Sequence, residues 1–163
     1  MTSKRTHERL PAVAAVIVSV LLLGAVPASA EIEIYTTTLS SANEVPPNDS
    51  MASGWATLEV DTETLIAAYH VEFSGLSAPE TGAHFHNAPA GMNGPVVFGL
   101  PLGSPKIGVW NMTPGDYDLL VAGSIYVNIH SQEIPGGEIR GQMEREVVSA
   151  EATTFTAVKG LFR

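Results

Sequence analysis

The stretch Thr81–Pro95, TGAHFHNAPAGMNGP, holds two histidines one residue apart, followed at once by a turn rich in Gly, Pro and Asn. Side chains alternate between the two faces of a β-strand. A strand over 83–87 would therefore point His84 and His86 to one side and Phe85 to the other. Two imidazoles side by side suit a transition metal better than a hydrophobic core. The stretch thus predicts a strand with a metal-compatible face, ended by a turn.

Short segments with a β-rich or alternating pattern occur along the rest of the chain. The further strands are predicted at 31–39, 54–61, 65–74, 96–100, 106–110, 124–130 and 138–144. Thr113-Pro-Gly-Asp is the one clear helix start, because Thr113 can cap and Pro114 fits the first helical position. Parallel strands would need more crossover helices than this chain has. We therefore predict an all-β fold, an antiparallel Greek-key β-sandwich or barrel with one short helix.

Residues 1–30 have the pattern of a secretory signal peptide. Three Lys or Arg residues precede an apolar run over 12–26, and small residues lead up to a predicted cleavage after Ala30. An uncleaved anchor helix is the alternative, although the apolar run is short for a membrane span. We expect a secreted or periplasmic protein with no stable membrane insertion after cleavage.

The chain that remains after this cleavage, 31–163, has the length of one domain and is strongly acidic. The whole chain has 8 Lys and Arg against 17 Asp and Glu, a net charge of −9. Cleavage removes three basic residues and one acidic residue, which leaves 5 against 16 and a net charge of −11. Such a surface repels nucleic acid and anionic membranes, so we expect neither as a partner. Nothing in the sequence excludes a homodimer.

The last residues differ from the rest. Within 147–163, Phe155, Val158 and Phe162 fall near helical spacing. So short a helix is unstable alone, and the segment is either a loosely docked terminus or a sorting or docking signal. We therefore expect the β domain to span 31–146 and a C-terminal tail to follow it.

A third histidine extends the pair. The chain has no cysteine, so a metal site must use His, carboxylate, Met or backbone oxygen. His130 ends the predicted strand 124–130. If that strand lies beside 83–87, the imidazoles of His84, His86 and His130 converge, and three nitrogen ligands with an open position suit copper, or zinc in a catalytic style. Alternatively, all three are hydrogen-bonded histidines on a half-exposed face.

Five polar residues are candidates to support this cluster without binding the metal: His70, Tyr126, Asn128, Glu133 and Arg140. Metal-bound histidines usually donate their other N–H to a nearby acceptor, which Tyr126, Asn128 or Glu133 could provide. Tyr126 and Asn128 could equally be ordinary exposed strand residues. His70 shares its strand face with a glutamate and is expected to be a surface or supporting residue rather than a ligand.

Three motifs resemble the CHRD domain, which was named from chordin and is widespread in secreted bacterial proteins. They are Leu39-Ser-Ser-Ala-Asn-Glu-Val-Pro-Pro, Gly82-Ala-His-Phe-His-Asn-Ala-Pro-Ala-Gly-Met-Asn-Gly-Pro-Val-Val and Tyr126-Val-Asn-Ile-His-Ser-Gln-Glu-Ile-Pro-Gly-Gly-Glu-Ile-Arg-Gly-Gln-Met. The likeness covers about 35–144, nearly the whole predicted domain. It implies the fold more firmly than it implies an activity.

A more distant likeness is to the Cu,Zn superoxide dismutases. Their copper site also combines an H-x-H strand, a Gly-rich turn ending in G-P and a later strand ending in His, and His84, His86 and His130 match these ligand positions. Val96-Val97-Phe98 replaces the bridging histidine, the zinc-ligand stretch is missing and the family disulfide cannot form. Arg140 is out of register with the family's active-site arginine. The likeness therefore implies a copper site and no zinc site.

The leading interpretation is a secreted β-sandwich whose three-histidine cluster binds copper, or another divalent metal, without efficient turnover. One alternative is a copper-only superoxide dismutase. The net charge of −11 argues against it, because an anionic substrate needs a positive guide. The other alternative is a structural or interaction module with no metal.

Overall fold

The computed structural model describes residues 31–146, which form nine β-strands, one α-helix and a single 3₁₀ turn. The strands are β1 (Ile32–Ser40), β2 (Ser53–Asp61), β3 (Ile66–Ser74), β4 (Glu80–Asn87), β5 (Val96–Leu100), β6 (Lys106–Asn111), β7 (Ile125–Ser131), β8 (Ile139–Gln142) and β9 (Glu144–Arg145). Helix α1 (Pro114–Val121) links β6 to β7. The predicted signal peptide and the predicted tail lie outside the described residues. Among residues 31–146, no helix is long and apolar enough to span a membrane.

All the strand pairs are antiparallel and form one sheet in the order β5-β4-β7-β8-β1-β2-β3-β6, with β9 also pairing with β1. The chain crosses between the two halves of this sheet after β3, after β5 and after β6, which is a Greek-key pattern. Phe98 on edge strand β5 stacks on Trp110 of edge strand β6, with ring centroids 5.1 Å apart. The sheet is therefore a nearly closed barrel, and the predicted all-β antiparallel fold is confirmed.

The inner faces of the strands supply one core. On β2 the alternating residues Ala56, Leu58 and Val60 are buried, as sequence alternation predicts. On β4 the buried residues Ala83 and Phe85 fill the same core. The alternate residues, His84 and His86, therefore lie on the outer face. The outward position of His84 and His86 thus follows from the core packing of their neighbours.

Helix α1 begins where its sequence predicts. The Thr113 hydroxyl accepts a hydrogen bond from the Asp116 backbone N–H, and the Asp116 carboxylate accepts one from the Thr113 N–H. This reciprocal capping satisfies two N–H groups that the first turn would leave free. Gly123, with a φ of +69°, lies just beyond the helix.

Most strand boundaries differ from the predicted ones by one to three residues, and two of the differences have a local cause. The predicted strand 138–144 is divided at Met143, because β8 pairs with β7 while β9 pairs with β1. Strand β3 begins at Ile66 because Leu65 has a φ of +56° and belongs to the preceding turn. Neither difference moves a candidate site residue off its strand.

Two loops cover the outer face of β4, β7 and β8. One joins β1 to β2 and contains Glu44 and Val45, and the other joins β4 to β5 and contains Asn93 and Gly94. The Asn93 side-chain amide donates a 2.7 Å hydrogen bond to the Val45 carbonyl and so joins the two loops. Polar side chains on this part of the outer face are consequently shielded from solvent.

Candidate metal centre

The pairing of β4 with β7 brings the three predicted ligands together. In this ladder Gly82 stands opposite His130, His84 opposite Asn128 and His86 opposite Tyr126. One ligand atom from each of His84, His86 and His130 lies within 4.8 Å of the others. His84 Nδ1 lies 3.3 Å from His130 Nε2. The three imidazoles form a group that could hold a metal ion.

In two of these histidines, a backbone carbonyl fixes which ring nitrogen carries the proton and which carries a lone pair. His86 Nδ1 lies 2.9 Å from the Gly94 carbonyl oxygen, and His130 Nδ1 lies 3.0 Å from that of Pro135. A carbonyl oxygen can only accept, so each Nδ1 carries the proton and each Nε2 presents a lone pair. The Nε2 atom of His86 is buried and has no hydrogen-bond partner among the described residues. An unpaired buried polar atom is costly, and a metal would satisfy it.

The environment keeps the imidazoles in the form that binds metal. Burial lowers the pKa of His86 below its ordinary value of 6.5, and the neighbouring His84 lowers it further. Burial is also the main cause of the lowered pKa of His130. Both side chains are therefore neutral at pH 7, and a metal ligand must be neutral imidazole.

The separations between the nitrogens fit a single first-row metal ion. Metal–nitrogen bonds of about 2.0–2.1 Å would be compatible with the 3.3 Å between His84 Nδ1 and His130 Nε2, if both atoms served as ligands. Such bonds span ligand atoms up to about 4.1 Å apart. The widest pair, within 4.8 Å, would thus need an inward movement of at most about 0.7 Å. Ordinary side-chain adjustment covers that distance.

Tyr126 links the cluster to a buried arginine. Its ring stacks on His86 at 4.9 Å with 9° between the planes, and Arg140 Cζ lies 3.4 Å from its centroid. Strand β7 lies between β4 and β8, so His86 and Arg140 approach the ring from opposite sides. The Tyr126 hydroxyl also accepts a 3.1 Å hydrogen bond from the Gly94 N–H. Tyr126 and Gly94 together hold the His86 ring in place.

Asn128 and Arg140 lie beside the cluster without contacting its nitrogens. Asn128 is buried and its amide donates to Glu44 Oε2 at 3.4 Å. Arg140 is only 2% exposed and donates to Asn93 Oδ1 at 3.2 Å and Gln142 Oε1 at 3.4 Å. These residues support the loop that covers His86 rather than the metal-facing atoms.

The structure places the remaining two candidates away from the imidazoles. Glu133 is exposed in the turn between β7 and β8, and the Pro135 carbonyl is the acceptor at His130 Nδ1. His70 lies on β3, where its ring packs on Trp55 at 4.5 Å and its Nε2 is 3.7 Å from Glu72. His70 therefore belongs to another part of the outer face.

Three residues at this site were not among the sequence candidates: Glu44, Gly94 and Pro135. All three lie in motifs that carried the family resemblance, which was the available signal. A Cβ at Gly94 would collide with the Asn87 carbonyl, so this close approach requires glycine. Pro135 acts through its backbone, and a backbone contact leaves no residue-type signal.

Comparison with known proteins identifies a family. The sequence model of the CHRD domain family matches residues 35–143, a range that includes all three histidines. No curated protein and no solved structure matches the chain. The family predicted from the three motifs is confirmed, while the likeness to Cu,Zn superoxide dismutases stays a prediction.

Proposed function

The chain belongs to the CHRD domain family, and we propose that it is a secreted domain that binds copper through His84, His86 and His130 without catalytic turnover. The observation that carries the proposal is the Nε2 atom of His86, which is buried and unpartnered beside two further imidazoles. A purely structural histidine cluster would pair this atom with a donor.

The donor set favours copper. The group consists of three imidazoles with no carboxylate, a set that suits copper or zinc better than Mg²⁺, Ca²⁺ or Mn²⁺. Among divalent first-row metals, a nitrogen site binds Cu²⁺ most tightly. The predicted absence of a second, zinc-binding stretch is consistent with a single ion.

Binding without turnover is supported by the position of the nearest arginine. Arg140 stacks on the far side of Tyr126 and is hydrogen-bonded to Asn93 and Gln142. It does not line an open approach to the imidazoles, as a guide for an anionic substrate would. The net charge of −11 for the predicted mature chain would also repel an anion.

Secretion is the part of the proposal that rests on sequence. Residues 1–30 carry the signal-peptide pattern, and the acidic chain that follows suits partners other than nucleic acid. Export assayed by fractionation, with the cleaved N-terminus read by mass spectrometry, tests this part. An uncleaved chain retained in the cytoplasm would contradict it.

Thermal unfolding in the presence of metal tests the site. A ligand that binds only the native state raises its stability, so Cu²⁺ should raise the Tm of the full chain by several degrees. His84→Ala with His86→Ala should lose this rise, and His70→Ala, which changes a histidine outside the cluster, should keep it. An equal rise in the double variant would show that copper binds elsewhere.

A superoxide dismutation assay separates binding from turnover. We expect the copper-loaded protein to be no faster than an equal concentration of free Cu²⁺. Fast dismutation that is lost in His86→Ala would favour the copper-only dismutase and overturn the non-catalytic part of the proposal.

A further inference from the structure

A concave site lies on the outer face of β1, β2 and β8, and none of the three cluster histidines lines it. This cleft has a volume of about 860 Å³, which is within the range of small-molecule sites. Its far rim is formed by Ala90 and Gly91 of the loop after β4, which carry almost no side chain. The cleft contains none of the three histidines.

The floor of the cleft combines hydroxyl groups with an aromatic ring. Thr36 on β1 pairs with Thr57 on β2, and Thr38 pairs with Trp55, so these four side chains form one patch. Within residues 31–146 the three threonine hydroxyls make no side-chain hydrogen bond. Trp55 is 39% exposed, and His70 contacts its indole from the β3 side while the cleft lies on its β1 side. The patch therefore offers free hydroxyls beside an accessible indole.

The wall of the cleft contains both a buried cation and a buried carboxyl group. Arg140 makes two side-chain hydrogen bonds, which leaves further N–H donors on its guanidinium. Glu44 is only 4% exposed, and its Oε1 atom has no partner among the described residues. An anionic ligand would meet the acidic residue Glu144, and a cationic ligand would meet Arg140. A neutral ligand whose groups both donate and accept satisfies the two together.

From this arrangement we propose that the cleft is a saccharide-binding site. Sugar hydroxyls donate to Glu44, accept from Arg140 and bond to the threonine hydroxyls, while an apolar sugar face packs on the Trp55 indole. The proposal does not rest on the proposed metal function, because it uses none of the three histidines; Glu44 and Arg140 border both sites.

Nuclear magnetic resonance of the metal-free full chain tests this site, with cellotriose, maltotriose and the trimer of N-acetylglucosamine as probes. The chain has two tryptophans, and Trp110 is 3% exposed, so the Trp55 indole N–H should move and that of Trp110 should stay. We expect at least one probe to bind with a millimolar Kd. Trp55→Ala should weaken the binding of that probe at least about fivefold.

Matched variants locate the binding. Thr36→Val with Thr38→Val keeps the side-chain volume and removes two hydroxyls. This variant should stay folded and should also bind the probe more weakly. Val109→Ala alters an exposed apolar residue outside the cleft and should leave the Kd unchanged. If no probe shifts the Trp55 indole, or if the Kd is the same in Trp55→Ala and in the threonine variant, the proposal is wrong.

Discussion

His84 Nδ1 and His130 Nε2 lie 3.3 Å apart, although the two residues are 46 positions apart in the chain. The residue directly opposite His130 in the β4–β7 ladder is Gly82, and a Cβ there would lie 3.2 Å from Cε1 of the His84 ring. Glycine at this position thus leaves the room in which the two imidazoles converge.

Gly82→Val should displace His84 and lower the copper affinity by about tenfold or more, because the new side chain occupies the space beside its ring. The control is Gly99→Val, since Gly99 pairs with His84 from β5 and a Cβ there meets nothing within 4 Å. Copper titration against a competing chelator gives both affinities. Equal affinities in the two variants would contradict the role of this space.

Tyr126 contributes to the site mainly through its ring, which separates His86 from Arg140. Tyr126→Phe keeps the ring, loses the hydrogen bond to Gly94 and should cost about 1 kcal/mol of unfolding free energy. Tyr126→Leu also loses both stacking contacts and should cost about 3 kcal/mol, with weaker copper binding. Urea unfolding measures the two costs. The proposed role of the ring fails if Phe is as costly as Leu.

The affinity for copper should depend on pH in one direction. Burial lowers the pKa of His86 and of His130 below 6.5, so protons compete with the metal for these two imidazoles only below that pH. Between pH 7 and 8 the apparent affinity should be steady. Below about pH 6.5 it should fall, by up to about tenfold per pH unit for each displaced proton. A decline that begins near pH 8 would contradict neutral imidazoles at pH 7.

Glu44 should make the stability of the metal-free domain fall as the pH rises. Burial raises the pKa of Glu44 from 4.5 to about 7, against the opposing effect of Arg140. The stability linked to this raised pKa is fully present below 4.5 and is lost as the pH rises through 7. The free energy of unfolding of Glu44→Gln, relative to that of wild type, should therefore increase between pH 5 and pH 8 by on the order of 1–3 kcal/mol.

Urea unfolding at these two pH values measures that gain. Glu59→Gln is the control, because Glu59 is exposed on β2 and its replacement should change stability little at either pH. A difference between wild type and Glu44→Gln that does not vary with pH would show that the carboxyl group ionises freely in the folded protein.

The sequence predicts the fold and the central part of the cluster because both depend on local alternation. Phe85 in the core places His84 and His86 outside, and a strand ending at His130 supplies the third imidazole. The register that pairs Gly82 with His130 is a contact between distant segments, and local alternation does not specify it.

The surroundings of the cluster depend on how the loops fold back over the sheet. Arg140 stands on a face that alternation marks as polar, yet the covering loops bury it. The acceptor for His130 is the Pro135 carbonyl rather than the Glu133 carboxylate, because the turn directs a backbone oxygen at the ring. His70 finds its aromatic partner, Trp55, on the neighbouring strand β2. Such contacts are set by tertiary structure and leave little trace in the sequence.

The most direct test of the metal centre is the metal content of the protein, purified without an affinity tag and measured by elemental analysis. We predict close to one copper per chain in wild type, and its loss in the His84→Ala and His86→Ala double variant. Absence of bound metal in wild type, even after loading with Cu²⁺, would contradict the metal centre and favour a structural role for the histidines.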